Sequence, residues 1–344
     1  MNAKEILKKL VSFNTIRDKQ NKEIMDFIEE YLKKYKFITK RVKKSLIAYN
    51  SETPNVGFVG HTDTVDYESW DGSPFELKEI DDKLIGLGAC DMKGGIAAIL
   101  TAISELNLNE NKVALYFTSD EEIGFTGIKD ICDKIVPANI IVGEPTDNTP
   151  IYGTKGLYEL AIEFYGVKCH SSTPDKGLNA IYECMDFTNK LRKYYEKAIK
   201  KSTVSDFDIP YTTMNIGIIK GGETINSVPG KCEITIDFRI ANSKDINKIE
   251  TKIKKMLLNY NAKLNIREKI NPSINNKDIS FLEKISTKKQ TKSYLTEASV
   301  IKKNSIILGP GPDTSHQKGE YVSIESLEKT VKLYKEIIKY YNKK

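Results

Sequence analysis

The chain has 344 residues, 40% of them hydrophobic and 29% charged, with a formal net charge of +6. That length suits about two domains at ~150 residues each, and the balance excludes collagen-like, low-complexity and wholly disordered chains. No apolar run approaches the ~18 residues of a membrane span, and the start Met1-Asn2-Ala3-Lys4-Glu5 reads as the opening of an amphipathic helix, so no cleavable leader is expected.

In chain order, 4–13 and 20–36 read as helices, the second with Ile24, Phe27, Ile28, Tyr31 and Leu32 at helical spacing. Strands are expected at 46–49 and 56–59, a buried Ala- and Ile-rich helix at 94–106, and buried strands at 113–118 and 139–142. Alternating strands and helices argue for an α/β sheet covered on both faces. The pattern then changes. Residues 157–165 alternate with period two, as a half-exposed strand does. A long helix fits 178–199, strands fit 212–220 and 231–239, a helix fits 244–258, and a strand fits 261–267. The order β-α-β-β-α-β is that of a ferredoxin-like module. Residues 270–293 are polar and weakly patterned, and a strand at 305–308 and a helix at 323–341 return to the first sheet. The expected architecture is a central mixed α/β sheet domain, 1–154 and 269–344, interrupted by a smaller α+β domain at 155–268.

Five cysteines at 90, 132, 169, 184 and 232 form no C-x-x-C pair, which argues against a disulfide framework or a thiolate zinc finger. The lysines are scattered, so the positive charge reads as a solvated surface and no nucleic-acid partner is expected. A cytoplasmic location is expected, with no membrane partner.

Only His61, His170 and His316 are available as imidazoles. His61 ends the run V-G-F-V-G-H-T-D, and Asp63, two residues on, shares its face of an extended chain. Asp63 could hold the second ring nitrogen of a ligating His61, or simply cap a turn. Asp91 lies between a Gly turn and a helix start, where a carboxylate is either an N-cap or a bridge between two cations. Glu121 and Glu122, in S-D-E-E, follow an apolar strand, and Glu144 follows another. Acids crowded there repel unless water or cations relieve them. Ligands of open α/β sheets bind beyond the C-terminal ends of strands, where these residues fall. His316 closes G-P-G-P-D-T-S-H. Carboxylates with imidazoles and no thiolate suit zinc, cobalt or manganese. Cys90 and Cys169 read as small packing residues rather than nucleophiles.

The segments G-H-T-D-T-V (60–65), G-L-G-A-C-D-M-K-G-G (86–95), T-S-D-E-E-I-G (118–124), G-E-P-T (143–146), H-S-S-T-P-D-K-G-L-N-A-I (170–181) and G-P-G-P-D-T-S-H (309–316) occur in that order. Together they resemble the zinc aminoacylase/carboxypeptidase superfamily, and C-D-M-K-G, G-E-P-T and T-E-A-S (296–299) resemble its acetylornithine deacetylase and succinyl-diaminopimelate desuccinylase branch most. The resemblance implies a metallopeptidase-type catalytic domain, an inserted lid and dimerisation domain, and a homodimer. It implies two divalent ions, zinc or cobalt: one held by His61, Asp91 and Glu144, the other by Asp91, Glu122 and His316. Glu121 would be the general base, Asp63 the partner of His61, and His170 the donor to the developing oxyanion in a neighbouring subunit's site. Asn226 and Arg239 would bind the substrate carboxylate. The implied reaction is amide hydrolysis of an N-acyl amino acid, N-acetylornithine-like. The alternatives are a succinyl-diaminopimelate desuccinylase, a hydrolase of carrier-protein-linked lysine or ornithine, a di- or carboxypeptidase, or a non-catalytic amino-acid-binding protein on the same fold.

Overall fold

The computed structural model describes residues 1–16, 21–67, 70–275, 282, 290–301 and 303–343. The chain divides into two units: Met1–Tyr152, Asn275–Gln290 and Thr296–Lys344 form one, and Gly153–Ile274 with Thr291–Leu295 the other.

The first unit opens with α1 (Ala3–Val11) and α2 (Lys22–Lys34), then β1 (Ile38–Val42), β2 (Ser45–Tyr49), β3 (Val56–His61), β4 (Lys78–Ile80) and β5 (Lys83–Ile85). Next come α3 (Lys93–Ser104), β6 (Val113–Thr118), α4 (Thr126–Ile131), β7 (Asn139–Val142) and β8 (Ile151–Thr154). The second unit holds β9 (Gly156–Tyr165), α5 (Ala180–Tyr194), β10 (Thr213–Gly221), β11 (Lys231–Ile240), α6 (Ser243–Leu257), β12 (Ala262–Ile270) and β13 (Ser273–Ile274). After β14 (Gln290–Lys292), β15 (Asn304–Ile307), β16 (Tyr321–Ser323) and α7 (Ile324–Lys343) complete the first unit. Much of the weakly patterned 270–293 stretch lies outside the described residues.

The apolar runs of β3, β6 and β7 are parallel neighbours, and β15 extends the parallel run beyond β7. On the other side β2 joins β6 antiparallel and β1 joins β2, so the sheet is mixed. Residues of each strand alternate between two cores. Phe58, Leu115, Phe117 and Ile141 enter a core with α1, α3 and α7, whereas Val59, Ala114, Tyr116, Ile140 and Val142 enter another with Ile128 and Ile131 of α4. A strand buried on both faces therefore reads as an unbroken apolar run. β1 and the β4–β5 hairpin were not expected from the pattern. I-T-K-R-V is exposed or half-buried and K-E-I is exposed, and neither alternates apolar with polar residue types.

In the second unit the antiparallel order is β10-β11-β9-β12. Tyr158, Leu160, Ile162 and Phe164 of β9 and Ile234, Ile236 and Phe238 of β11 share one core with Phe187 of α5 and Ile249 of α6. The intervening residues Glu159, Glu163, Glu233 and Asp237 point away from it and are half-exposed. α5 starts at Asn179, whose side chain accepts from the N–H groups of Ile181 and Tyr182. The long helix read over 178–199 ends in a wider turn over Tyr195–Ile199. Among the described residues no helix is long and apolar enough to cross a membrane.

Candidate active site

Strand ends bring the site together. His61 is the last residue of β3, Glu121 and Glu122 follow β6, Glu144 follows β7, and His316 follows β15. Asp91 precedes α3, which packs so closely under β7 that a Cβ on Gly95 would lie 2.0 Å from the Gly143 carbonyl oxygen. Gly95 thus lets the start of α3 approach the backbone just before Glu144. Asp120 and His316 are both in the left-handed backbone region, with φ of 79° and 58°. Non-glycine residues held there are uncommon and cluster where function constrains the chain.

Asp91 faces both imidazoles with different oxygens. Its Oδ1 lies 3.0 Å from His61 Nε2, and its Oδ2 lies 3.5 Å from His316 Nε2. His61 Nε2 is also 3.7 Å from Glu144 Oε1, and His316 Nε2 is 3.2 Å from Glu122 Oε1. Two groups able to hold a cation result, His61–Asp91–Glu144 and Asp91–Glu122–His316, with Asp91 common to both. Glu144 Oε1 is buried without a hydrogen-bond partner. An orphaned carboxylate oxygen beside a buried imidazole fits a ligand to a cation, because leaving such an atom unpaired is costly.

Asp63 lies beside His61 and meets it through two of its oxygens. His61 Nδ1 donates to the Asp63 main-chain carbonyl at 3.1 Å, while the nearer carboxylate oxygen is 3.5 Å away. The Asp63 carboxylate also accepts from Glu121 N–H at 3.2 Å and Glu122 N–H at 3.0 Å. One residue therefore orients the imidazole through its backbone and the two glutamates through its side chain.

The electrostatics follow from crowding. Burial, then the charge of Asp91, pushes the Glu144 carboxyl up to about 8 against the pull of His61. Burial raises Glu121 well above the carboxylate range, and Glu144, Asp91 and Glu122 add to it while His61 opposes. Asp91 goes the other way: burial works against its charge, but hydrogen bonds with His316 and His61 hold it well below the usual range. The same bonds, from Asp91 and Glu122, lift His316 to about 10. Carboxylates outnumber imidazoles in this cluster, a surplus of negative charge that cations would relieve.

Sequence reading missed three buried charges. Glu297, in T-E-A-S, accepts from Thr118 Oγ1 at 2.5 Å and has a second oxygen without a partner. Burial pushes it up to about 7. Lys93 is fully buried, donates to the Phe13 carbonyl at 3.2 Å, and is pulled down to about 7 by burial. Glu320 lies under the Asp91 loop. Glu297 lies in the T-E-A-S segment, noted only for its resemblance, and Glu320 follows no apolar strand, so neither is marked as a buried charge.

The remaining candidates belong to the second unit. His170 is exposed, with Nδ1 2.7 Å from Ser172 Oγ. Asn226 is exposed, and its carbonyl accepts from Ser171 N–H at 3.0 Å. Arg239, on β11, pairs with Asp237 at 3.0 Å.

Comparison with known proteins bears on the whole chain. The family model for peptidase family M20/M25/M40 matches residues 57–340. An acetylornithine deacetylase of Pasteurella multocida is 31% identical over 349 residues, covering 93% of this chain and 91% of that protein. The fold matches a tripeptidase from Staphylococcus aureus with a TM-score of 0.81 and 20% identity, covering 100% of this chain and 98% of the other. It also matches a dinuclear metal-binding M20 peptidase from Bacillus subtilis at a TM-score of 0.72 and 14% identity, over 98% and 96% of the two chains. Strand-end carboxylates and histidines, a family match across most of the residues and a relative aligned nearly end to end all agree: the chain is a hydrolase belonging to peptidase family M20/M25/M40.

Proposed function

We propose that this protein hydrolyses the amide bond of an N-acyl amino acid of the N-acetylornithine type, using two divalent cations, zinc or cobalt. The observation that carries the site is Asp91, whose two oxygens each meet a different imidazole. The substrate class is supported by the acetylornithine deacetylase of Pasteurella multocida at 31% identity. His61, Asp91 and Glu144 would hold one ion, and Asp91, Glu122 and His316 the other. Bound there, the ions would supply Lewis-acid activation of water and of the scissile carbonyl.

The chain's own groups then have distinct tasks. Asp63 fixes the backbone of Glu121 and Glu122, so the base and its neighbour keep one geometry. Glu121 takes a proton from the attacking water as the water oxygen bonds the carbonyl carbon. It returns that proton to the amine nitrogen as the C–N bond breaks. A carboxyl raised by burial is suited to holding a proton between those two events. In the second unit, His170 would donate to the developing oxyanion. Arg239 would grip the substrate carboxylate with its planar fork, alongside Asn226. Residues 155–268 would act as lid and dimerisation domain, so a homodimer is the working form; a fully active monomer in dilute solution would contradict that.

The decisive experiment measures amine release from N-acetylornithine, N-succinyl-diaminopimelate and several dipeptides, after chelation and after restoring Zn²⁺ or Co²⁺. Metal-restored turnover of N-acetylornithine is expected. Turnover of only another substrate moves the assignment within the family. Tight ligand binding with no turnover in metal-replete protein overturns it.

A further inference from the structure

Glu320 is 2% exposed, with the buried Lys93 as a charge neighbour. Its carboxylate is spent on one stretch of backbone. Oε2 accepts from Gly88 N–H at 2.8 Å, and Oε1 accepts from both Cys90 N–H and Asp91 N–H at 2.8 Å. The Glu320 carbonyl also accepts from Gly86 N–H at 3.1 Å. Gly88, at φ +74°, turns the chain so that these N–H groups converge. A second tie joins the same two loops: Cys90 Sγ donates to the Pro312 carbonyl at 3.1 Å and accepts from Thr314 N–H at 3.3 Å. Thr314 in turn exchanges hydrogen bonds with the Tyr321 backbone, at 2.8 and 3.0 Å. The segment from Pro312 to Tyr321 therefore carries His316 and at the same time grips the loop that carries Asp91.

We infer that Glu320 is a positioning residue for the cation site: its carboxylate clamps the Gly88–Asp91 backbone, so that Asp91 presents one oxygen to each imidazole. The inference rests on the metal-site reading above. A carboxylate accepting three N–H groups has no donor of its own to clash with them. An amide does, and it can satisfy at most one side of the cradle. Aspartate keeps the charge but falls short of spanning all three donors.

The test is zinc affinity by competition with a chelator, together with the visible spectrum of the Co²⁺-loaded protein and its melting temperature. Glu320→Gln is expected to hold Zn²⁺ 10–100-fold more weakly, the usual range for loss of an outer partner of a ligand. Its Co²⁺ spectrum should change, and kcat should fall with little change in KM. Glu320→Asp should lie between it and the wild type; if Glu320→Gln does not fold, this variant decides. Ile253→Ala, on α6 in the separate core of the second unit, controls for destabilisation alone. It should melt lower and bind zinc as the wild type does. Wild-type zinc affinity and an unchanged Co²⁺ spectrum in folded Glu320→Gln or Glu320→Asp would overturn the inference. Asp91→Asn separates the two readings: loss of zinc there with none in the Glu320 variants sinks only the clamp. Wild-type binding by Asp91→Asn removes the metal-site reading itself, and the clamp with it.

Discussion

Glutamates behave in opposite ways in two regions of this molecule. On the outer face of the four-stranded sheet, Glu163 pairs with Lys231 at 2.7 Å, and its carboxyl is pulled down to about 2 by hydrogen bonds from Lys231 and Tyr165. Glu159 meets Arg267 at 3.2 Å on the same face. At the strand ends of the first unit, Glu144 has an unpaired oxygen and is pushed up to about 8 by burial. The residue type is the same, and the surroundings decide. Water and lysines neutralise the first region at little gain or cost. In the second, His61 and His316 face a larger number of carboxylates and offset only part of their charge, and such a buried cluster is found chiefly where a protein binds or reacts something.

The comparison can be broken most sharply at Glu121. Glu121→Gln is expected to lower kcat by roughly 10²–10⁴-fold, the span of a lost general base, with metal content unchanged by elemental analysis. Full turnover would sink its assigned role. Next in size is Gly95→Ala, whose added carbon meets the Gly143 carbonyl at 2.0 Å. The loss should reach about 3 kcal/mol in denaturant unfolding, the upper end of overpacking. A wild-type midpoint would show that α3 and β7 can separate freely. Metal removal comes third. Chelation should lower the melting temperature of the wild type, because ions that bind only the folded state stabilise it. Glu144→Gln should shrink that difference, and an equal shift in both proteins would detach Glu144 from the ions.

Smaller effects are expected of the water-facing charges. Arg239→Ala should change stability by less than about 1 kcal/mol, since its pair with Asp237 is partly exposed. If Arg239 grips substrate, KM should nevertheless rise clearly in steady-state kinetics; an unchanged KM removes it from the binding set. Smallest is Glu29, held at about 2 by hydrogen bonds from Lys33 and Arg41 against an ordinary 4.5. Its folded value is the lower one, so its stabilisation is present above pH 4.5 and fades as pH falls towards 2. Glu29→Gln should cost no more than about 1 kcal/mol at neutral pH. Acid titration of both proteins should show that gap closing near pH 2, and a gap that widens on acidification would contradict the sign.

The sequence by itself determined a good deal. Runs such as V-A-L-Y-F-T and N-I-I-V announce strands covered on both faces, because only double burial makes an unbroken apolar strand favourable. The acids and imidazoles beyond those strands announce the site, since parallel strands end together at one edge. Hidden from it were contacts between segments far apart in the chain. Asp63 reads as a partner for His61, and the sequence gives no sign that its carboxylate also accepts from the Glu121 and Glu122 backbone. Glu320 carries no local mark at all, and it gains meaning only when Gly88, Cys90 and Asp91 turn their N–H groups towards it. Periodicity reports whether a segment is buried, because burial repeats along the chain. Which buried charge meets which backbone group is decided by packing across more than two hundred residues of sequence, and no local pattern records it.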